Sequence, residues 1–363
     1  MAKPVYAFEE ADSKKRMLLG GKGAGLSEMT RLKLPVPPGF IITTEVCNKY
    51  YDNNKKLPKD LMSAVMKNIT KMEKKTGKKW NSTKNPLLVS VRSGAAISMP
   101  GMMDTILNLG LNEKTVEGFA EQTKNPRFSW DSYRRFIQLF GKVVFGVNDE
   151  KFDHVLDSAK TKQGVSDDSK LNVESLKTIV SEYKKICEAH TKRKFPDSPK
   201  EQLELSIEAV FRSWMGERAI VYREKNNITK DIANGTAVNV VTMVFGNMGD
   251  DSATGVVFTR NGHNGKKEIE GEYLINAQGE DVVAGVRTGK NIELLKKDMP
   301  KSHKELSNAC TKLEKHFREP QDIEFTIEQG KFYLLQTRTA KMSAAALVKT
   351  SVDMVKEKLI DKN

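Results

Sequence analysis

The stretch QDIEFTIEQGKFYLLQTR at residues 321–338 alternates apolar and polar residues on both sides of Gly330. Two alternating runs separated by a short segment with glycine predict a β-hairpin. Because strand side chains point to opposite faces in turn, the apolar side chains of the first run would share one face. They are Ile323, Phe325 and Ile327. Asp322 and Glu324 would then lie together on the opposite face.

The second run of the hairpin determines what stands beside these two carboxylates. A loop with an odd number of residues, such as a three-residue loop with glycine in the left-handed conformation, would place Gln336 and Arg338 on the same face. Magnesium is usually held by one or two carboxylates together with substrate phosphates, and a guanidinium can bind phosphate in a bidentate manner. The face therefore suits a metal–nucleotide complex, although an ordinary hairpin with one solvated polar face has the same pattern.

A glycine-rich segment, LLGGKGAGLSEM, occupies residues 18–29 and surrounds Lys22 with glycines. Glycines let the backbone approach a phosphate closely, and the N-terminus of a following helix would add amide donors. No Ser or Thr follows Lys22, so the segment is not a Walker A loop, and its spacing differs from the GxGxxG dinucleotide fingerprint. A glycine-rich turn with one exposed lysine is the alternative interpretation.

An apolar strand, PLLVSVRSG, precedes an irregular loop, AAISMPGMMD, in residues 86–104. Arg92 lies near the end of the strand. Because arginine keeps its charge, a buried position there requires either a carboxylate partner or an anionic ligand. The loop contains a proline, a glycine and three methionines. This composition is typical either of a loop that closes over a ligand or of a connecting loop whose methionines pack in the core.

The composition of the whole chain excludes several classes of protein. With 363 residues, the chain can form two or three units with their own cores. No apolar run approaches the ~18 residues needed to span a bilayer, and the N-terminal sequence resembles neither a secretory signal nor a transit peptide, so we expect a cytoplasmic protein without membrane contact. The net charge of +13 comes mostly from lysines spread among acidic residues, without a nucleic-acid-binding motif, so we expect no nucleic-acid partner. The isolated cysteines should be small buried side chains: Cys47, Cys187 and Cys310.

Helical and strand patterns divide the rest of the chain and indicate an α+β fold. From about residue 114 to residue 216, apolar residues recur at helical spacing. The adjacent Arg134 and Arg135 would point about 100° apart on a helix and cannot both be buried, so one of them is a candidate to reach a ligand. The last third contains β-branched runs set off by glycines, which indicate a mostly buried sheet. Glu280 follows one of these strands in a turn. It is a candidate for ribose or metal contact, with an exposed turn carboxylate as the alternative.

Several segments together resemble the nucleotide-binding domain of the pyruvate, phosphate dikinase family. They are LLGGKGAGLSEM, PLLVSVRSGAAISMPGMMDTILNLGLN, NPRFSWDSYRRFIQLFG, AVFRSW, TAVNVVTMVFGN, GEYLINAQGEDVVAGVRT and LEKHFREPQDIEFTIEQGKFYLLQTR. The SMPGMMDTILNLG segment distinguishes this family from the related phosphoenolpyruvate synthases. The resemblance implies an ATP-grasp-like nucleotide-binding domain with a helical insertion. The implied division is an ATP-grasp-like part at 1–113, the insertion at 114–200, a second ATP-grasp-like part at 201–345 and a linker helix at 346–363.

The resemblance also implies roles for individual residues. Phosphate binding falls to Lys22, Arg92 and Arg338, which are the implied catalytic residues. Metal and nucleotide contacts fall to Asp322 and Glu324. The other implied nucleotide contacts are Gln336 in a supporting role, Gly101 and Thr105 in a loop covering the phosphates, Met243 and Val244 at the adenine edge, and Glu280 near the ribose. We expect one cleft, lined by both the glycine-rich segment and the terminal hairpin.

The activity implied by the resemblance is phosphoryl transfer from magnesium-bound ATP to a histidine on a carrier domain. The family is a phosphotransferase family that converts ATP, phosphate and pyruvate to AMP, pyrophosphate and phosphoenolpyruvate, and its carrier histidine lies in a GGxxSHxA-like motif. None of the five histidines of this chain matches that motif. We therefore expect a fragment that lacks both the phosphohistidine domain and the further domains through which the full enzyme forms a homodimer. The alternatives are a stand-alone ATP-binding or regulatory module without catalysis and a partial chain of the phosphoenolpyruvate synthase type.

Overall fold

The computed structural model describes residues 3–283 and 288–361. The chain folds as two compact units, which are interleaved in sequence. The first comprises Met1–Ala24 and Pro38–Met243, and the second comprises Gly25–Pro37 and Val244–Asn363. Helices combined with two antiparallel sheets make this an α+β fold, as the sequence predicted. The domain boundaries implied by the resemblance stay a prediction.

The strands and helices of the described residues are numbered here in chain order. The strands are β1 Val5–Ala7, β2 Gly39–Ile42, β3 Val89–Gly94, β4 Thr105–Leu109, β5 Ala237–Thr242, β6 Ala253–Phe258, β7 Glu270–Ile275, β8 Lys290–Asn291, β9 Gln321–Glu328 and β10 Lys331–Thr339. The α-helices are α1 Arg16–Arg31, α2 Thr44–Asp52, α3 Leu61–Thr76, α4 Glu113–Thr123, α5 Pro126–Phe145, α6 Asp149–Gln163, α7 Val173–Thr191, α8 Pro199–Ser213, α9 Glu217–Lys225, α10 Gly279–Val283, α11 Leu295–Asp298, α12 Pro300–Phe317 and α13 Ala344–Lys356.

Strands β1 to β5 form the sheet of the first unit in the order β1-β2-β5-β3-β4, and neighbouring strands are antiparallel. Strand β5 lies at the centre, and all six of its residues are buried. Its β-branched side chains favour a strand because they pack well on a pleated surface. The β-branched runs of the last third are therefore strands, as predicted. They divide between two sheets, with β5 in the first unit and β6 and β7 in the second.

Helices α4 to α9 form a helical region between β4 and β5, with α5 running through it for 20 residues. The side chain of Asn125 caps α5 by accepting a hydrogen bond from the amide of the third helical residue. Arg134 is buried and pairs with both Asp131 and Asp168, whereas Arg135 is half-buried and pairs with Asp131. The two arginines therefore differ in burial, as predicted. Carboxylates of the helical region pair with both arginines, and contact of either one with a ligand stays a prediction.

Strands β6 to β10 form the sheet of the second unit in the order β10-β9-β6-β7-β8, again with antiparallel neighbours. Helix α12 packs on β9 and β10. Its buried apolar residues recur at helical spacing: Leu306, Ala309, Cys310 and Leu313. The predicted apolar face of β9 is fully buried: Ile323, Phe325 and Ile327. Burial of these apolar side chains contributes to the hydrophobic stabilisation of this unit.

Strands β9 and β10 form the predicted hairpin, but its loop does not have the odd number of residues that was considered from the sequence. Glu328 pairs with Lys331, so the loop has two residues, Gln329 and Gly330. Their φ values are 47° and 73°. Positive φ at both central positions is the signature of a type I′ turn, whose twist matches that of the flanking strands.

A β-bulge at Leu335 corrects the register of this hairpin. With a two-residue loop and regular pairing, Leu335 would stand opposite Glu324. Instead, Gln336 pairs with Glu324 and Arg338 pairs with Asp322, because the bulge leaves one residue of β10 without a partner on β9. The predicted grouping of these four polar residues on one face is therefore confirmed. The extra residue lies within the strand and not in the loop.

The cysteines agree with their predicted role as small buried side chains. Cys47, Cys187 and Cys310 are buried, and their thiols are free. Burial raises the pKa of each thiol to about 12, which keeps the sulfur protonated and weakly nucleophilic at neutral pH. Within residues 3–283 and 288–361, no helix combines the length and apolar character needed to cross a membrane.

Candidate functional site

The glycine-rich segment, residues 18–29, forms most of α1 and contacts the end of β3. Helix α1 is interrupted at Gly20, whose φ of 70° and ψ of 160° favour glycine. A Cβ atom at this position would lie 1.8 Å from the carbonyl oxygen of Gly94, which excludes any side chain. The amide of Gly21 donates to the carbonyl of Ala95 at 2.8 Å. Gly20 and Gly21 therefore allow the backbone of α1 to contact the backbone at Gly94 and Ala95.

Asn239 lies beneath this segment on β5 and is 0% exposed. It pairs with Arg92 on β3 and with Ile41 on β2, so the three side chains share one face of the sheet. Its Nδ2 donates to the carbonyl of Arg92 at 3.4 Å. A Cβ at Gly23 would lie 2.8 Å from its Oδ1, and one at Gly94 would lie 2.6 Å from its Nδ2. The glycines at these two positions are therefore required by packing against Asn239.

The sequence analysis missed Asn239, although one signal was present. An asparagine inside a run of buried β-branched residues is unusual, because asparagine is disfavoured both in strands and in cores. Among the described residues, none donates a hydrogen bond to its Oδ1. An unsatisfied buried polar atom costs about 1–3 kcal/mol.

Lys22 and Arg92 both lie at this end of the sheet. The Cβ of Lys22 is 3.5 Å from the point where a Cβ of Gly94 would be. Arg92 precedes Gly94 by two residues on the same strand, and therefore projects from the same face. Both cationic side chains are half-buried. Two cations beside a helix that restarts after a glycine form an arrangement suited to an anion such as phosphate.

The methionine loop, residues 95–104, connects β3 to β4. Its two ends meet, because the amide of Ser93 donates to the carbonyl of Asp104 at 3.3 Å. Thr105, the first residue of β4, pairs with Arg92. The loop therefore leaves and re-enters the sheet next to Arg92, and Thr105 stands directly opposite that arginine.

A turn forms the tip of the methionine loop. The amide of Met102 donates to the carbonyl of Met99 at 3.2 Å. Pro100 and Gly101 occupy the central positions, and Gly101 has a φ of 71°. This is the pattern of a type II turn, which favours proline at the second position and requires positive φ at the third. Met99 is buried while Pro100 and Gly101 are exposed, so the loop is anchored by one methionine and its tip reaches the surface.

In the second unit, the hairpin brings four of the predicted residues to one face. The Nε of Arg338 donates to Oδ2 of Asp322 at 2.7 Å, and Glu324 pairs with Gln336 across the strands. Burial raises the pKa of Asp322, and the hydrogen bond and charge of Arg338 act in the opposite direction. The Asp322 side chain is 7% exposed and that of Arg338 is 41% exposed. The guanidinium thus extends from a buried carboxylate toward solvent.

Strand β6 continues the same face beside β9. Val256 pairs with Glu324, and the hydroxyls of Thr254 and Thr326 lie 3.2 Å apart. In the part of the chain that the structure describes, no group of three or more His, Cys, Asp or Glu side chains is arranged to hold a metal ion. Asp322 and Glu324 offer two carboxylates on alternate residues. That number suits magnesium when phosphates and water complete its shell.

Three predicted residues belong neither to the group at the end of β3, which includes the methionine loop, nor to the group on the polar face of the hairpin. Met243 and Val244 follow β5 directly, and the amide of Met243 donates to the carbonyl of Leu88 at 2.9 Å. Met243 is buried and Val244 is half-buried. Glu280 lies in the short helix α10 and not in the predicted turn, because the chain becomes helical from Gly279 onward. The side chain of Glu280 is outside the described residues.

The predicted site residues are shared between the two units. The first unit carries Lys22, Arg92, Gly101, Thr105 and Met243. The second carries Val244, Glu280, Asp322, Glu324, Gln336 and Arg338. Within the first unit the glycine-rich segment docks beside Arg92, and within the second the two hairpin strands align their polar residues. The expectation that both groups line one cleft stays a prediction.

A family model described as "Pyruvate phosphate dikinase, AMP/ATP-binding domain" matches residues 16–56, 53–304 and 299–359. The chain belongs to this family. The resemblance seen in the sequence motifs is thereby confirmed. The glycine-rich segment, the methionine loop and the terminal hairpin all lie within the matched residues of the dikinase domain.

Curated dikinases are similar over almost the whole chain. A pyruvate, phosphate dikinase of Entamoeba histolytica is 55% identical over 360 residues, which are 99% of this chain and 41% of that protein. The corresponding protein of Clostridium symbiosum is 54% identical over 361 residues, again 99% of this chain and 41% of the relative. That of Rhizobium meliloti is 49% identical over 378 residues, covering 100% of this chain and 42% of the relative. The chain thus spans about two-fifths of the length of these dikinases.

Proposed function

We propose that this dikinase domain binds magnesium-ATP and passes a phosphoryl group to a carrier histidine on another domain, as part of the conversion of ATP, phosphate and pyruvate to AMP, pyrophosphate and phosphoenolpyruvate. The observation that carries the proposal is the cross-strand set of the hairpin. There Asp322 stands opposite Arg338 and Glu324 stands opposite Gln336 on one face. Two carboxylates beside a guanidinium suit a metal and phosphates better than an apolar ligand.

Three cations take the phosphate roles in this proposal. Lys22 and Arg92 would contact phosphate oxygens in the first unit, and Arg338 would do so from the hairpin. Phosphoryl transfer develops charge on the phosphate oxygens, so fixed cations lower its barrier. Loss of one such donor or cation costs roughly a hundredfold or more in rate. The proposal is supported by the half-buried positions of Lys22 and Arg92 beside the end of β3.

Asp322 and Glu324 would hold the magnesium ion of the nucleotide. When bound, the ion would supply positive charge that offsets the negative charge of the phosphates. The fit is supported by two carboxylates on alternate positions of one strand face, with Glu324 half-buried. Gln336, directly opposite Glu324, is placed to orient that carboxylate.

The remaining residues take the nucleotide-contact roles implied by the family. We propose that Gly101 and Thr105 cover the phosphates, that Met243 and Val244 border the adenine and that Glu280 lies near the ribose. An ATP-grasp-like fold with a helical insertion, a cytoplasmic location and a homodimer formed through other domains of the full enzyme belong to the same proposal. The helical region between β4 and β5 is consistent with the insertion.

Calorimetric titration of the folded chain with ATP, with and without magnesium, tests the proposal. Glu324→Gln should weaken binding of magnesium-ATP roughly 10- to 100-fold, because a metal-binding carboxylate is lost. The same substitution should change binding of metal-free ATP much less. Glu293→Gln, at an exposed carboxylate of the same unit, is the matched control and should leave both affinities unchanged. Equal affinity of Glu324→Gln and the unsubstituted chain for magnesium-ATP would contradict the metal role.

A further inference from the structure

One side chain, Arg218, contacts the methionine loop at two points. Its Nη1 donates to the carbonyl of Gly101 at 3.4 Å. Its Nη2 lies 3.6 Å from Oδ1 of Asp104. Gly101 belongs to the exposed turn at the tip of the loop, and Asp104 is the last residue before β4. A single guanidinium therefore links the tip of the methionine loop to its base.

The position of Arg218 is not explained by the helix that carries it. Arg218 is the second residue of α9, and the positive end of a helix dipole disfavours cations in the first turn. Glu217, before it, and Arg223 and Lys225, in the last turn, have the signs that the dipole favours. Arg218 has the opposite sign for its position. The contacts of Arg218 with Gly101 and Asp104 offset this unfavourable position.

The link made by Arg218 is weak, because its ion pair is exposed to solvent. The side chain of Arg218 is 68% exposed and that of Asp104 is 28% exposed. Burial raises the pKa of Asp104, while the charges of Arg218, Lys142 and Arg212 lower it. Exposed ion pairs of this kind shift an equilibrium by at most about fivefold. A contact of that size favours one loop position without locking it.

We propose that Arg218 is a positioning residue that holds the methionine loop in place beside Arg92. The inference rests on the proposed function, in which Gly101 and Thr105 of this segment cover the phosphates. Strand pairing fixes Thr105 opposite Arg92, and the contacts of Arg218 with Gly101 and Asp104 hold the tip of the loop relative to that fixed end. Arg218 thus acts on nucleotide retention through the loop, without a contact to the nucleotide being required.

Hydrogen exchange of the ligand-free chain tests the link itself. In Arg218→Ala, the backbone amides of Met99 and of residues 101–104 should exchange about two- to fivefold faster than in the unsubstituted chain. Arg218→Lys should fall between the two, because lysine keeps the charge but not the planar fork. Lys225→Ala, at an exposed cation on the same helix, is the matched control and should exchange as the unsubstituted chain does. Asp104→Asn combined with Arg218→Ala should exchange no faster than Arg218→Ala alone, since both changes remove one shared contact.

Stopped-flow measurement of magnesium-ATP release tests whether Arg218 affects nucleotide retention. Arg218→Ala should release the nucleotide about two- to fivefold faster, with an unchanged association rate and an unchanged melting temperature. Loop exchange and release rates equal to those of the unsubstituted chain would overturn the inference and leave the proposed function intact. Failure of the folded, unsubstituted chain to bind magnesium-ATP would instead overturn the proposed function, and with it the role of Arg218 in retention.

Discussion

Gly23 shows how one missing side chain positions the glycine-rich segment. A Cβ there would lie 2.8 Å from Oδ1 of Asn239 and 3.0 Å from Cδ1 of Ile41. Alanine is favoured over glycine in a helix by about 1 kcal/mol, but overpacking of this kind costs about 1–3 kcal/mol. We expect Gly23→Ala to lower the free energy of unfolding in urea. The same substitution should be less harmful in the Asn239→Ala background, because the obstructing amide is absent.

Gly262→Ala is the control for this residue-scale prediction. A Cβ at Gly262 would meet no atom closer than 3.6 Å. The free energy of unfolding of the Gly262→Ala variant should therefore differ from that of the unsubstituted chain by less than about 1 kcal/mol. An equal effect of Gly23→Ala with and without Asn239 would show that the contact between the two residues does not require the glycine.

At the scale of one element, helix α5 depends on a buried charge network. The side chain of Asp131 is 6% exposed, and those of Arg134 and Arg135 are 4% and 22% exposed. Burial raises the pKa of Asp131, but the charges of Arg134, Arg135 and Arg127 together outweigh it and hold the pKa at about 2. Because this lies below the unfolded value of 3.8, the resulting stabilisation is present above pH 4 and is lost as the pH falls toward 2.

Replacement of Asp131 by asparagine tests this network. Asp131→Asn should lower the free energy of unfolding at pH 7 by about 3–5 kcal/mol, because Arg134 would keep a buried charge without its main partner. Its loss of stability between pH 4 and pH 2 should also be smaller than that of the unsubstituted chain. In Asp157→Asn, which removes a 68% exposed carboxylate on α6, urea unfolding should change by less than about 1 kcal/mol. An unchanged unfolding midpoint for Asp131→Asn would contradict this account.

At the scale of the whole molecule, we expect binding and turnover to separate. A carrier histidine divides phosphoryl transfer into two easier steps, and none of the five histidines of this chain lies in the family's motif. The chain alone should therefore bind magnesium-ATP and form almost no AMP. A carrier domain with the histidine of the proposed function, added as a separate chain, should become labelled slowly, because the millimolar effective concentration of a tethered domain is absent. Rapid AMP formation by the isolated chain would refute this prediction.

The hairpin illustrates how much a local pattern can predict. Alternation of residues identified both strands and their apolar and polar faces, because the period of a strand depends only on its own backbone. Alternation did not identify the bulge at Leu335, although two adjacent leucines interrupt the pattern at that point. A bulge is a mismatch between two strands, so it depends on the partner as well as on the strand itself.

The glycine-rich segment illustrates what the sequence could not predict. The composition allowed close approach to a phosphate and close approach to other backbone equally well. The packing of these glycines against other parts of the protein depends on Gly94 and Asn239. Both residues are far from Gly20 and Gly23 along the chain and meet them only in the folded unit. The pairing of Arg134 with Asp168 was missed for the same reason, since Asp168 lies beyond the next helix.

The bulge on β10 determines where the hairpin tolerates a change in length. Removal of the surplus residue at Leu335 would leave Gln336 opposite Glu324 and Arg338 opposite Asp322, because the remaining residues of β10 already alternate regularly. An insertion or deletion in the Gln329–Gly330 turn would instead shift every pair along the two strands. Homologous hairpins can therefore differ in length next to Gln336 and keep the polar face. A difference in length at the turn would instead disrupt that face.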